Sequence, residues 1–291
     1  MKVAFYLGTH GTEPERMIKV LMQNREWLLA NGIEPVPPSR HRGMFEEALN
    51  SLSGGPATPA MEQVMLDAIL DIDDPKRLIC SQPGLIGVPA RCLAPPSFYA
   101  PAGSKMMAAA NLFPSADAEF FMALRNPATL VPHLVAASTR QSYDQLMAGR
   151  SPDTLRWGPA VRQMLQSVQG RRLVLWCHED TPLIWPEVVR RIADMPTNVA
   201  LKGGLAVLAE VLTPEGLDEI KRRLGEAAQI TIAARRDIFA EVLSTHARPD
   251  MLETSITLPG WDQALVDRMT RDYDDDVAEI AALPGVEFIV P

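Results

Sequence analysis

Short, mainly apolar runs separated by helix-length segments constrain this chain more than any other feature. KVAFYL (2–7), RLICS (77–81), AEFFMAL (118–124), RLVLWC (172–177) and VEFIV (286–290) are five to seven residues long and do not alternate between apolar and polar. That pattern reads as strands buried on both faces. The segments between them carry helix signals. Residues 15–30 place Met17, Val20, Leu21, Trp27 and Leu28 on one side, and Asn31-Gly32 supplies a left-handed stop. Helices are also expected over 45–52, 61–71, 104–112, 127–148, 157–168, 182–193, much of 201–246, and 262–283. Pro127 suits a first turn, where its missing N–H needs no partner. Residues 34–38 read as a Pro-rich connection, 53–59 as a loop, and 82–99 as irregular chain. Strand–helix alternation of this kind predicts an α/β fold, a three-layer α/β/α arrangement around a central parallel sheet. No repeat and no linker divides the chain, so one domain over 1–291 is expected, with the helices of 201–246 as a subsidiary cap.

The 291 residues suffice for a sizeable core. A formal net charge of −8 argues against a broad basic face for nucleic acid, though not against a local basic pocket. No apolar stretch is long enough to span a bilayer. The three cysteines, Cys80, Cys92 and Cys177, are far apart and form no CxxC pair, which indicates neither a disulfide framework nor a zinc site. Cys80 and Cys177 end apolar runs and read as buried thiols. The chain enters its first strand at once, without a signal-peptide pattern. A cytoplasmic protein with no membrane and no nucleic-acid partner is the expectation, its oligomeric state open.

LGTHGTEPER (7–16) follows the first run. A strand, then Gly8-Thr9-His10-Gly11-Thr12, then a helix is the layout of a phosphate-binding turn. In such a turn N–H groups at a helix start converge on an anion that the helix dipole also favours. The lysine of the Walker pattern is absent. Thr12 and Glu15 have capping-box spacing, which satisfies the helix start internally. Glu13 and Glu15 already occupy the favourable end of the dipole and repel a phosphate, and Pro14 removes one donor. A phosphate turn and a self-capped helix start both fit these residues.

Other segments carry a family resemblance. EFFMALRNPATLVPH (119–133) is a strand, then Arg-Asn-Pro, then a helix. It resembles the 3′-phosphate-binding segment of the sulfotransferases that use 3′-phosphoadenosine-5′-phosphosulfate. Arg125 matches their arginine, and His133 stands where they place a serine. The stretch 6–33 resembles their opening strand, 5′-phosphosulfate loop and first helix. Gly8, Thr9, His10 and Thr12 keep the bacterial pattern, while Gly11 replaces the lysine and Glu13, Pro14 and Glu15 replace Gly-Thr-Thr. CSQPGLIG (80–87) resembles a Ser-Glu-Asn-x-x-Gly turn of the same group, and the last helix and strand resemble its C-terminus. The resemblance runs from end to end in the expected order. It implies a P-loop nucleotide-binding fold of the sulfotransferase type. It also implies a donor bound by Gly8, Thr9, His10, Gly11, Thr12, Arg125 and His133, and sulfuryl transfer to a small hydroxyl or amine acceptor. The departures from pattern keep a rival open: a non-catalytic protein of this fold that binds another ligand or partner. A kinase or NTPase fits less well, with neither a Walker lysine nor a magnesium-site pair.

The candidate residues have plainer readings too. Arg16 suits an ion pair with a neighbouring acid such as Glu13. His10 is either a donor to the sulfuryl group or a loop histidine bonded to a carbonyl. Arg125 is either a phosphate ligand or a partner of carboxylates and carbonyls. His133 is either a phosphate donor or a packed ring between Leu130 and Leu134. WCHEDTPLIWPEVV (176–189) ends the fourth run and opens a helix, where parallel sheets bind ligands. His178 is the candidate acceptor base, having the ordinary pKa nearest neutrality. Asp180 or Thr181 is the expected helix cap. Trp176 and Trp185 read as core, Asp274-Asp275-Asp276 as a solvated helix face, and no metal site is expected.

Overall fold

A computed structural model describes residues 1–12, 14–226, 230–252 and 255–291. The apolar runs form β1 (Lys2–Tyr6), β3 (Arg77–Ser81), β4 (Asp117–Leu124), β5 (Arg172–Cys177) and β6 (Val286–Ile289), and a further strand, β2, spans Ile33–Val36. All six lie in one sheet of order β2-β3-β1-β4-β5-β6, every pairing parallel. Alternate residues bury opposite faces. Phe5, Leu7, Cys80, Phe120, Met122 and Leu175 pack into one core, while Tyr6, Ile79, Phe121, Ala123, Val174 and Trp176 pack into another on the reverse side. Helices cover both faces, so the fold is α/β, with helix layers on either side of a central parallel sheet. All three cysteines are buried.

The register places the functional loops together. Tyr6 is level with Ser81 and Phe121, and Leu124 is level with Cys177. The residues that follow each of these strands therefore share one edge of the sheet. From β1 the chain travels toward β2 on one side; from β4 it travels toward β5 on the other. The edge between β1 and β4 is thus a switch point, where parallel sheets open a crevice.

Several sequence expectations are corrected. The 34–38 connection contains β2, which pairs with β3 alone. Pro35 is tolerated because an edge strand need not donate on its open side. The helix expected over 15–30 is two helices, Pro14–Gln23 and Arg25–Ala30, broken at Asn24. The Asn24 side chain donates to the Val20 and Lys202 carbonyls and accepts from the Lys202 N–H. It thereby spends its polar groups on tying the 202 loop to the helix, in competition with continuing it. The helix expected at 45–52 begins at Pro38. The long helix of 127–148 ends at Ala137, and a separate short helix, Tyr143–Met147, follows with a Ser142/Gln145 capping box.

The helices expected within 201–246 are Leu208–Val211, Pro214–Glu226 and Ile232–His246. Leu208, Leu212, Ile220, Phe239 and Val242 give them a small core of their own. Asp274 and Asp275 are exposed, but Asp276 is buried and accepts from the Trp157 N–H at 2.7 Å and from Arg156. It caps the helix Trp157–Val168 from outside, so the acidic run is not uniformly a solvated face. No helix among the described residues is long and apolar enough to cross a membrane.

Candidate functional site

The loop after β1 turns at Gly8 and Gly11, both left-handed, with φ of 55° and 70°. Glycine is the residue that adopts such angles without cost. Thr12 donates from both its N–H and its hydroxyl to the Thr9 carbonyl, the hydroxyl at 2.6 Å. The Thr12–Glu15 capping box involves the helix entry at Glu13, which lies outside the described residues. The Thr9 hydroxyl is buried with no partner among the described residues.

Arg125, the first residue after β4, reaches this loop. Its Nη1 donates to the Gly11 carbonyl at 2.7 Å and its Nε to Thr129 Oγ1 at 3.2 Å. A Cβ at Gly11 would overlap the guanidinium and lie 2.8 Å from His133 Cδ2. Gly11, Arg125 and His133 therefore converge, although more than a hundred residues separate the first from the other two. Any side chain at position 11 would therefore need Arg125 to move. His133 is not packed between Leu130 and Leu134; it is exposed, and its ring edge lies over Gly11.

His10 bonds Tyr99. Its Nδ1 lies 2.9 Å from the Tyr99 hydroxyl, and the backbone of Gly87 also bonds the ring. Burial lowers its pKa, and Tyr99 in turn stacks on Trp157. Of the two readings of His10, this is the loop histidine. The neighbour expected to pair with Arg16, Glu13, lies outside the described residues. Arg16 pairs bidentately with Glu210 of the cap, Nε to Oε1 at 3.0 Å.

His178 follows β5 and donates its N–H to the Leu124 carbonyl at 2.6 Å. Its Nδ1 is buried without a partner among the described residues. Burial, together with the nearby Arg125 and Arg16, lowers its pKa to about 4. His178 is therefore neutral at pH 7, and its basicity is well below that of an ordinary imidazole. Glu179 opens onto the cleft yet is densely surrounded. Loss of water raises its carboxyl, opposed by bonds from the Asn126 N–H at 2.8 Å and the Tyr273 hydroxyl at 2.9 Å. Asn126 Oδ1 caps the following helix through the Ala128 N–H. The cap expected from Asp180 or Thr181 is absent: Asp180 holds the cap position with no side-chain bond, and the Thr181 hydroxyl is buried without a described partner.

Thr12, Arg125, Thr129, His178 and Glu179 line a cavity of about 290 Å³. Trp176, Trp185, Val207, Met251 and Leu252 complete it with apolar surface. Trp176 and Trp185 are buried, as expected of core, and Trp176 stacks on Tyr6. Glu210, Tyr99 and Tyr273 carry none of the local signals that mark Arg125 or His178, and sequence reasoning missed them. Among the described residues, no three His, Cys, Asp or Glu side chains gather to hold a metal. No protein-family model, no curated protein and no solved structure matches the chain.

Proposed function

We propose that this protein binds 3′-phosphoadenosine-5′-phosphosulfate across the carboxyl edge of its sheet and transfers the sulfuryl group to a small hydroxyl or amine acceptor. The observation that carries this reading is the convergence of the Gly8–Thr12 loop, Arg125 and His133 at the β1/β4 crevice. It brings together Gly11, Arg125 and His133, three of the residues that the sequence resemblance assigns to the donor, while His10 bonds Tyr99 instead. In the transfer, the acceptor oxygen or nitrogen bonds to sulfur as the bond from sulfur to the phosphate oxygen breaks. The electron pair of that bond leaves with the bisphosphate. Arg125 and Arg16 are the cations placed to offset charge building there, the task of the absent lysine. The acceptor proton passes to Nε2 of His178, which burial keeps neutral and so able to accept it at pH 7, although as a weaker base than the ordinary imidazole the sequence leads one to expect.

A specific observation favours a second reading, a non-catalytic binding protein. Arg125 already bonds a loop carbonyl, and Arg16 is already matched by Glu210. An unliganded cleft is thus electrostatically content.

Calorimetric titration with 3′,5′-adenosine bisphosphate, the expected product nucleotide, separates the two. The transfer reading expects binding that weakens with salt and falls at least tenfold in Arg125→Ala. No binding at millimolar nucleotide, or binding indifferent to Arg125, overturns it and leaves the non-catalytic reading.

A further inference from the structure

Beyond the Arg16–Glu210 pair lies a second and larger hollow, of about 730 Å³. Its wall is cationic. Arg16, Lys19 and Arg42 line it, with Gly11 and His133 at its border with the loop. Two carboxylates, Glu15 and Glu210, also face it, and Arg16 engages Glu210. Neither Lys19 nor Arg42 forms an ion pair with any described residue, in a chain whose net charge is −8.

The last residue of β3 also lines this hollow. Ser81 is 1% exposed, and its hydroxyl has no hydrogen-bond partner among the described residues. A buried hydroxyl in that state destabilises the fold unless something bonds it. Pro38 and Ser39 complete the wall; they open a fifteen-residue helix whose cap residue, Pro37, offers no side-chain bond. The helix dipole there adds to the positive potential.

We propose that this hollow is an oxyanion site, taking a phosphate, sulfate or carboxylate group through Lys19, Arg42 and the Ser81 hydroxyl. On the sulfuryl-transfer reading, on which this last step rests, the group belongs to the acceptor. The acceptor is then a small hydroxyl or amine compound that is itself anionic. The oxyanion site does not depend on that reading. The hollow shares Arg16 and Glu210 with the Arg125 cavity and borders Gly11 and His133, but Lys19, Arg42 and Ser81 line the hollow and not that cavity, so a donor and a second anion have separate groups to bind.

The probe is inorganic phosphate, titrated calorimetrically into the full chain with and without saturating 3′,5′-adenosine bisphosphate. The expected result is phosphate binding that persists beside the bisphosphate. It should weaken at least tenfold in Arg42→Ala and in Lys19→Ala, and change less than twofold in Arg125→Ala. Arg42 and Lys19 are exposed, so these variants should fold, which matching melting curves would verify. Absence of phosphate binding overturns the site. So does phosphate displaced by the bisphosphate, because the anion then occupied the donor's own phosphate positions. Binding unaffected by both cation substitutions also overturns it. Phosphate binding through Arg42 with no bisphosphate binding supports the oxyanion site and overturns the transfer reading, so the two fail separately.

Discussion

The two edges of the sheet solve opposite problems. At the amino edge, where the strands begin, buried charge is paired. Arg77 at the start of β3 donates to Glu119 at 2.7 Å and to the Ile192 carbonyl at 2.8 Å. Lys2 adds a bond to Glu119 at 3.2 Å, and Arg172 lies 3.6 Å from it. Arg172 and Arg191 share Glu287 on the neighbouring strand. At the carboxyl edge, polar groups are buried without described partners: the hydroxyls of Thr9, Ser81 and Thr181, Gln82 Oε1, and Nδ1 of His41 and His178. Native interiors leave few such groups. Six stand together at this edge beside two cavities, which marks it as the end of the sheet that fits a ligand; the other such groups among the described residues are Glu34 Oε1 on β2 and side-chain atoms of Glu187, Arg190, Arg235 and Arg236 on two outer helices. The amino edge is kept for stability.

The largest effect belongs to the amino edge. Glu119→Ala strands the Arg77 guanidinium, whose side chain is 4% exposed. Removing one partner of a buried pair costs about 3–5 kcal/mol. The urea midpoint should fall accordingly, while affinity for 3′,5′-adenosine bisphosphate stays unchanged in the protein that remains folded. A loss below about 1 kcal/mol would show that the two edges do not differ in the way described.

His178 offers a smaller effect with a definite sign. Burial lowers its folded pKa from the ordinary 6.5 to about 4. Above pH 6.5 it is neutral in both the folded and unfolded states and contributes nothing to the pH dependence. Between pH 6.5 and 4 the unfolded chain takes up a proton that the folded chain refuses, so stability declines as pH falls. The full decline is at most about 3 kcal/mol. His41, also lowered to about 4, and His10 titrate in the same direction, so the informative quantity is the difference between parent and variant. His178→Gln should flatten part of the acid limb and leave stability at pH 8 nearly unchanged. On the transfer reading it also lowers turnover by about two to four orders of magnitude. An identical acid limb in parent and variant would place His178 in solvent at its ordinary pKa.

What was legible in the sequence follows the same division. Strands β1, β3, β4 and β5 announce themselves because burial on both faces demands largely apolar runs, whereas β6 is half-buried at the far edge and is expected only from its short VEFIV run. β2 hides because an edge strand tolerates Pro35 and carries Glu34, whose carboxylate accepts from the Asp71 N–H. Asp276 hides inside an acidic run because its partners, Arg156 and Trp157, lie on a helix far back in the chain. At the site, Arg125 and His178 are visible because each follows a strand directly, and Gly11 because it lies in the glycine-containing loop after β1. Glu210 is not, since Arg16 is 194 positions away. Nor is the neutrality of His178, which burial and two nearby arginines create and which the side chain alone does not carry. Local grammar locates the edge, and tertiary contact decides the charge state of what stands on it.

The smallest expected effect sharpens the comparison most, because it separates a group kept for a ligand from one that packing merely tolerates. Thr9 is 1% exposed, and its hydroxyl lacks a described partner. Valine has the same shape, so Thr9→Val removes the hydroxyl while keeping the branched side chain and the packing around it. If the hydroxyl is an uncompensated buried group, the variant gains stability, by about 1 kcal/mol. A loss of similar size would mean that the hydroxyl is satisfied in solution, and the two edges would then differ less than their hydrogen bonds suggest. The same variant should bind 3′,5′-adenosine bisphosphate more weakly if the orphaned hydroxyl is held for the donor. Higher stability with weaker binding is the signature of a site that holds an unsatisfied group ready for its ligand. Higher stability with unchanged binding would move the ligand off the β1 loop and toward the Arg42 side of the cleft.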